Sequence, residues 1–156
     1  MGRNRALAGS RLSPHSPAMT HIDPTRDAFE LFKGLDRDQP IEMLNLIRLR
    51  DQAAYPDGRQ ATGLDAYKAY GRESGPVFAR VGGKIIWRGK PQLTLIGPSE
   101  EAWHLAFIAA YPGAGAFLEM VTDPHYQTKA VPHRQAGVAD SRLIRHAPLP
   151  VGDMFG

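Results

Sequence analysis

The stretch IEMLNLIRL at residues 41–49 constrains the fold of this chain more than any other part of the sequence. It is predicted to be the first core strand, and both of its alternating sets of side chains are largely apolar. The apolar members of the two sets are Ile41, Met43, Ile47 and Leu49 on one face and Leu44 and Leu46 on the other. A strand that is apolar on both faces is normally covered on both faces. We therefore expect the sheet to contact something besides its own helices.

The elements after this strand alternate between helix and strand patterns. In order they are a long helix closed by Gly82-Gly83, strand segments at 84–88 and 92–96, a strand at 103–111, a helical region in two parts and a strand at 141–146. The segments 84–88 and 92–96 are expected to be two halves of one bent strand or one strand with an irregular end, because glycine and proline lie between them.

Capping residues mark three helix starts. Asp23-Pro24 is expected to open a short peripheral helix, since Asp can cap it and Pro suits the first helical position. Thr62 followed by Asp65 resembles a capping box at the start of the long helix, which Gly75-Pro76 is expected to kink or divide in two. Asp123-Pro124 marks a second start inside the later helical region.

The core order β-α-β-β-α-β is the split βαβ or ferredoxin-like pattern. It predicts an α+β domain with a four-stranded antiparallel sheet and both helices on one face. The other face would carry large apolar side chains, and an exposed apolar patch of several hundred Å² is rare on a monomer. A second copy can cover such a patch with twofold symmetry. We therefore expect a homodimer, in the form of a dimeric α+β barrel, and leave further assembly open.

Charge and composition exclude several classes of function. Three of the 19 basic residues and none of the 16 acidic residues precede Met19, so the remainder is balanced at 16 of each and carries no nucleic-acid signature. No apolar run approaches the ~20 residues needed to span a membrane. The absence of cysteine excludes disulfides and thiolate catalysis and gives no hint of an oxidising compartment, so we expect a cytoplasmic protein.

The predicted organisation has four parts. They are a disordered N-terminal tail at 1–20, a peripheral helix at 21–38, the ferredoxin-like domain at 40–147 and a loose C-terminal tail at 148–156. Residues 1–18 lack the apolar core of a secretory signal. They are expected to be either a disordered tail or a stretch upstream of a true start at Met19.

Several segments together carry a family resemblance. They are MLNLIRLRD (43–51), YPDG (55–58), LDAYKAYG (64–71), VGGKIIWRGK (81–90), LIGP (95–98), AAYPGAGAFLEMVTDPHYQ (109–127) and DSRLI (140–144). In this order they are similar to the domain-of-unknown-function family numbered 1330. The resemblance covers about residues 40–147 and implies the dimeric α+β barrel superfamily. Related families there include cofactor-independent monooxygenases, lactone isomerases and haem-handling proteins, which implies a ligand cleft without specifying a reaction.

Three residues are candidates for catalysis. Asn45 lies mid-strand among apolar neighbours, where an unpaired amide would cost about 1–3 kcal/mol. It is expected either to face a ligand or to bond a neighbouring loop or helix. Tyr70 borders the apolar stripe of the long helix, so its hydroxyl could reach a cleft between helix and sheet. His104, predicted to share an apolar strand face with Ala106 and Ile108, is a candidate general base or a satisfied core or interface histidine.

Three further residues are candidates for ligand binding. Arg48 and Arg88 lie near strand ends and could each bind a carboxylate or form a surface ion pair. Trp87 could form a flat apolar wall of a pocket, whereas Trp103 is expected to contribute packing. No cofactor is predicted. No metal site is expected either, since a histidine pair at 125 and 133 without carboxylates is a weak signal.

Two functional hypotheses follow. In the first, the protein binds, and in one version transforms, a small polar or aromatic molecule in a cleft of the dimeric barrel. Any enzymatic activity would then resemble a cofactor-independent oxygenase or isomerase, on the superfamily resemblance alone. In the second, the protein is a non-catalytic assembly or regulatory module whose polar strand residues are satisfied across the dimer interface.

Overall fold

A computed structural model describes residues 20–156; the predicted tail at 1–20 lies almost entirely outside the described residues. The helices are α1 Arg26–Gly34, α2 Gly63–Arg80, α3 Ala114–Thr122 and α4 Val131–Gly137, and a π-helical segment, Tyr126–Ala130, precedes α4 directly. The strands are β1 Ile41–Leu49, β2 Lys84–Gly89, β3 Leu105–Tyr111 and β4 Val138–His146. None of the helices in this part of the chain is long and apolar enough to cross a bilayer.

The four strands form one sheet in the order β2-β3-β1-β4, and every neighbouring pair is antiparallel. The core order β-α-β-β-α-β and this sheet topology confirm the predicted ferredoxin-like α+β fold. The first strand has the predicted bounds at both ends.

The helices cover one face of the sheet, which we call the helix face. Its core includes Ile41, Met43, Ala109 and Tyr111 from the strands, together with Val77, Phe117, Met120 and Tyr126 from the helices. We call the opposite side the open face. Four residues that pair across strands on this face are Leu44, Trp87, Ile108 and Ile144. Leu46 is the next residue of β1 on the same face. Trp87 and Ile144 remain 49% and 45% exposed.

The strands predicted at 103–111 and 141–146 begin at other residues than predicted, and the strand predicted at 92–96 does not form. The strand predicted at 103–111 begins at Leu105. Trp103 lies outside it, with its ring 5.8 and 5.1 Å from the guanidinium carbons of Arg48 and Arg142. Residues 92–96 belong to no strand, because β2 ends at Gly89 and no strand in the described part of the chain pairs with them. The last strand begins at Val138, three positions before its predicted start, and continues directly from α4.

The long helix is undivided, contrary to the expectation of a break at Gly75-Pro76. Pro76 lies inside α2, where it removes one backbone donor. Burial of Ser74 and Val77 on both sides of it holds the helix against the sheet. The predicted capping box is present, with Thr62 Oγ1 accepting from Asp65 N at 3.0 Å and Asp65 Oδ2 accepting from Thr62 N at 3.2 Å.

The first helix begins two positions later than the predicted start at Asp23-Pro24. Thr25 is its cap and accepts from Ala28 N at 3.1 Å. Asp23 instead accepts a hydrogen bond from Gln135 on α4 at 3.1 Å. Tertiary contacts of the chain before α1 therefore decide which residue caps the helix.

Candidate functional site

A cavity of about 1140 Å³ lies between the helix face of the sheet and the helical layer. Its lining is dominated by apolar and aromatic side chains. They include Phe32, Met43, Phe78, Leu105, Phe107 and Leu143. Small-molecule sites typically occupy about 300–1,000 Å³. This cavity is therefore large enough for a small organic molecule.

One row of cross-strand neighbours forms the middle of the cavity floor. Asn45 on β1 pairs with Phe107 on β3 and Leu143 on β4, and Phe107 also pairs with Arg88 on β2. Residues that pair directly across strands share one face of the sheet. The backbones of Asn45 and Arg88 are two strand spacings apart, roughly 10 Å.

A β-bulge aims Arg88 at the cavity. The β2–β3 register shifts between Ile85 and Trp87, which leaves Ile86 as the extra residue. In a regular strand, Ile85 and Arg88 would point to opposite faces because side chains alternate. The bulge instead brings both to the cavity, and both line it.

Asn45 presents an unpaired acceptor to this space. Its Nδ2 donates to the carbonyl oxygen of Met43 at 3.0 Å, and its Oδ1 has no partner among the described residues. No fully buried side-chain nitrogen or oxygen of the described residues lacks a hydrogen-bond partner. The Asn45 Oδ1 is therefore accessible, and Asn45 lines the cavity.

Three tyrosines stand in the wall opposite the floor. The hydroxyls of Tyr70 and Tyr126 are 2.8 Å apart, and the ring of Tyr67 lies 5.5 Å from that of Tyr70. Burial raises the pKa of Tyr67 and of Tyr126 above the usual range. Both phenols therefore stay protonated at neutral pH and can donate a hydrogen bond. In the Tyr70–Tyr126 pair one hydroxyl donates to the other, and the second keeps its hydrogen for another acceptor.

The charged groups around the cavity are mainly cationic. Arg88, Arg134, Arg142 and Arg145 line it, whereas Asp23 is the one carboxylate among the described lining residues. Arg134 bonds the Ile22 carbonyl and Ser141, and Arg145 bonds backbone carbonyls near α1. Arg88 has no salt bridge or hydrogen bond to any described residue, so its guanidinium is free to bind an anion.

The chain just before α1 closes one side of the cavity. Residues 21–25 and the side chains of Phe29 and Phe32 line it. His21 N donates to Asp140 Oδ1 at 2.8 Å, and its carbonyl accepts from Ser141 Oγ at 2.8 Å. The predicted peripheral helix is therefore part of the cavity wall, although none of its own residues is buried.

Three of the six predicted site residues do not line the cavity. His104 lies before β3, is exposed, and accepts a hydrogen bond from Leu49 N through Nδ1 at 2.9 Å. Arg48 is paired with the buried Asp140 at 3.0 Å. Trp87 pairs with Ile108 on the open face, because the bulge that turns Arg88 inward leaves Trp87 on the other side. The structure brings together Asn45, Tyr70 and Arg88.

The two helical histidines have different hydrogen-bond partners. His125 Nε2 lies 2.9 Å from a carboxylate oxygen of Glu73, and His133 Nδ1 lies 2.5 Å from the hydroxyl of Tyr55. Tyr55 and His133 line a separate, smaller cleft beside the 51–62 loop. The described residues contain no cluster of three metal-ligating side chains.

Sequence reasoning missed two parts of the site. Tyr126 lies in the π-helical segment, and such segments are frequent at functional sites, but a π-helical turn has no clear signature in one sequence. Arg134 and the segment before α1 meet the cavity only through long-range hydrogen bonds, which local patterns do not encode.

A family model described as Domain of unknown function (DUF1330) matches residues 59–147. Among solved structures, methylated RPA0582 protein is 58% identical, with a TM-score of 0.82 over 86% of this chain and 98% of that chain. A second structure of RPA0582, a protein of unknown function from Rhodopseudomonas palustris, is 57% identical, with a TM-score of 0.80 over 85% of this chain and 99% of that chain. No curated protein matches the chain.

Proposed function

Because the chain belongs to the DUF1330 family, whose description assigns no activity, we propose a function from the chemistry of its cavity. The protein binds a small organic anion, a carboxylate with an aromatic or aliphatic body, between the sheet and the helices. The observation that carries this proposal is the floor row, in which an unpaired Arg88 and the unpaired Oδ1 of Asn45 flank Phe107.

The apolar lining supports an apolar ligand body. Phe32, Phe78 and Phe107 surround the cavity, and burial of apolar surface contributes about 25 cal/mol per Å². The polar groups are few and separate, which is the usual arrangement of a site that orients an apolar ligand by one end.

The charge pattern supports an anion. The guanidinium of Arg88 can bind a carboxylate with two parallel hydrogen bonds, without first breaking a bond inside the protein. The free phenolic hydrogen of the Tyr70–Tyr126 pair can donate to a second oxygen of the ligand, and Asn45 Oδ1 can accept from a hydroxyl or amide.

The same groups support binding more directly than acid–base catalysis. Burial raises the pKa of Tyr67 and of Tyr126, so these phenols stay protonated beside the floor. His21 and Asp23 are the only imidazole and carboxylate among the described lining residues, and both belong to the segment before α1. The floor row itself therefore offers orientation and charge but no base.

The open face supports a homodimer as the form in which the protein works. Trp87 and Ile144 are about half exposed there, and Leu44, Leu46 and Ile108 extend the apolar surface between them. Contact with the same surface of a second copy would cover all of them at once. The cavity lies on the other side of the sheet, so dimer formation leaves it accessible.

The test is calorimetric titration with benzoate and octanoate, with benzyl alcohol and 1-octanol as uncharged counterparts. We expect the acids to bind more tightly than the alcohols. Arg88→Gln should weaken the acids about tenfold or more, since a charged hydrogen bond contributes about 1.5–3 kcal/mol, and should leave the alcohols unchanged. Arg59→Gln is the matched control, because Arg59 bonds Asp57 outside the cavity. Equal losses in both variants, or no preference for acids, would contradict the proposal.

A non-catalytic assembly module is the second candidate, and the same open face favours it. In that case no probe would bind, and Asn45→Ala, on the helix face, would alter only the free energy of unfolding. Native mass spectrometry of protein purified from its own host separates the two. A retained small molecule supports the first candidate, and subunits without any ligand, combined with absent probe binding, support the second.

A further inference from the structure

The connection between β2 and β3 is much longer than its geometry requires. The two strands are antiparallel neighbours, which a loop of about 2–5 residues can join. Residues 90–104 form the connection instead, roughly three times that length, and contain no helix or strand. Structureless connections of this length are uncommon in compact domains and are usually functional.

The first half of this connection projects three large apolar side chains into solvent. Leu93, Leu95 and Ile96 are 80%, 84% and 95% exposed. The nearby hydrogen bonds, from Thr94 Oγ1 to the Glu101 carbonyl at 2.9 Å and from Glu101 N to the Pro98 carbonyl at 3.1 Å, are internal to the connection. We call residues 91–96 the arm. Its three large apolar side chains are exposed, and no hydrogen bond to another described element holds it.

The second half of the connection ties the arm to one end of the open face. Arg48 Nη1 donates to the Glu100 carbonyl at 2.7 Å, and Arg142 pairs with Glu101 at 3.1 Å. Both arginines lie over the ring of Trp103. The arm therefore follows the end of β2, and its return segment is held beside the end of the open face.

The sequence of the arm is that of a strand. QLTLI at 92–96 has the pattern that predicted a strand, yet no strand of the described residues 20–156 pairs with it. A segment with strand pattern, apolar side chains and free backbone groups can be stabilised by packing on, or pairing with, a sheet from another molecule.

We propose that the arm of each subunit lies on the open face of a second copy of this chain. The inference rests on the homodimer proposed above and is independent of the ligand. One chain carries both an apolar projection and an uncovered apolar face, so a twofold exchange buries both surfaces of both subunits in one step. The arm adds the exposed side chains of Leu93, Leu95 and Ile96 to the apolar side chains of the open face, and a stable dimer needs about 800 Å² of contact per partner. A different protein would need one surface that fits the arm and another that fits the open face.

Cysteine cross-linking tests the arrangement directly, because the natural chain has no cysteine. Leu95→Cys is mixed with a mass-tagged chain that carries either Ile108→Cys or Ile144→Cys, so that two sites of the open face are sampled. We expect oxidation to give the mixed disulfide, identified by mass spectrometry of the linked peptides. Leu31→Cys, on α1 and 74% exposed, is the matched control and should give no link to the open face. If Leu95→Cys and Leu31→Cys link to the open face equally, or if Leu31→Cys alone links to it, the proposal is wrong.

Analytical ultracentrifugation provides the second readout. Leu95→Asp should raise the dimer dissociation constant about 100-fold or more, whereas Leu31→Asp should leave it unchanged. If Ile144→Asp breaks the dimer and Leu95→Asp does not, the open face pairs without the arm and the inference is wrong. If the wild-type chain is monomeric at micromolar concentration, both the arm exchange and the homodimer are contradicted. Benzoate binding that persists in such a monomer would show that the proposed ligand function does not depend on either.

Discussion

The two faces of the same four-stranded sheet are both apolar, but they are covered in different ways. On the helix face, Ile41, Met43 and Ile47 are 2%, 3% and 1% exposed. On the open face, Trp87 and Ile144 remain about half exposed. The alternation of one strand, β1, supplies both faces. The difference shows that an apolar pattern specifies the need for cover, whereas the rest of the fold decides whether that cover comes from the same chain.

The polar residues of the two faces differ as well. Arg48, on the open face, forms an ion pair with the buried Asp140 of the same chain. Arg88 and Asn45, on the helix face, keep binding capacity that no described residue uses. The helix face therefore carries the groups that suit a ligand, and the open face those that suit assembly.

The largest expected effect comes from removing buried volume on the helix face. Ile47→Ala should lower the free energy of unfolding by about 2–5 kcal/mol, since it leaves a cavity under the sheet. Ile144→Ala, on the open face, should cost about 1 kcal/mol in the single chain because half of that side chain is already in water. Urea unfolding measures both.

Repeating the unfolding measurements at several protein concentrations tests the difference between the two faces further. The cost of Ile144→Ala should grow as the concentration rises through the dimer constant, whereas that of Ile47→Ala should not. Similar costs for the two variants at every concentration would mean that the faces do not differ in the proposed way.

The two arginines give the next largest contrast. Arg48→Met should destabilise the protein by about 1.5–3 kcal/mol, because it removes a charged hydrogen bond from the buried Asp140. Arg88→Met should change stability by less than about 0.5 kcal/mol while abolishing the preference for benzoate over benzyl alcohol. Urea unfolding and calorimetric titration of both variants form the test, and a stability loss in Arg88→Met as large as that in Arg48→Met would contradict it.

Substitutions at the helix caps test whether the helical layer can be loosened without affecting the strands of the open face. Thr62→Ala should cost about 1 kcal/mol, because it breaks the capping box at the start of α2. Thr25→Ala makes the same change at α1, which has no buried residues, and should loosen only that helix. Hydrogen exchange should rise in the first turn of α2 for Thr62→Ala and in α1 for Thr25→Ala. An equal rise in β4 would show that the helical layer and the open face are not separate.

The smallest effect concerns pH. The guanidinium of Arg80, with help from the Tyr126 backbone N–H, lowers the pKa of Asp123 and so joins the end of α2 to the end of α3. A carboxyl with a lowered pKa in the folded state adds stability above its unfolded pKa of about 3.9. That stability is lost as the pH falls through the folded value.

Urea unfolding between pH 6 and pH 3 measures this contribution. Arg80→Gln should make the fall in stability shallower. Asp57 and Asp65 also have lowered pKa values, for reasons that do not involve Arg80, so they contribute equally in both proteins. Parallel curves for wild type and variant would rule out the contribution.

Much of the fold was accessible from local patterns. The bounds of β1, the capping box of α2 and the two-part helical region follow from side-chain spacing and capping residues within a few positions of each other. The predicted strand at 92–96 was wrong because strand pairing is non-local, and the arm has no partner strand among the residues that the structure describes. Pro76 did not divide α2, because packing on both sides of it outweighed one missing backbone bond.

The candidate site was accessible only in part. Asn45 and Tyr70 stood out because polar groups interrupted or bordered apolar patterns, and both line the cavity. Arg88 also lines it, but only through a bulge that alternation does not predict. His104 was placed on a strand face, whereas its ring caps the Leu49 amide just before the strand begins. The functional roles of these residues remain predictions.

The sequence by itself determined that β1 is apolar on both faces, that the elements follow the ferredoxin-like order and that no cysteine takes part, because each of these depends on residue type and spacing alone. Only the tertiary structure decided that Arg88 and Asn45 share a cavity floor, that Trp87 lies on the other side, and that the segment before α1 closes the wall. The reason is physical: strand register, a single bulged residue and long-range hydrogen bonds set which side chains meet, and none of these is encoded within a short stretch of chain.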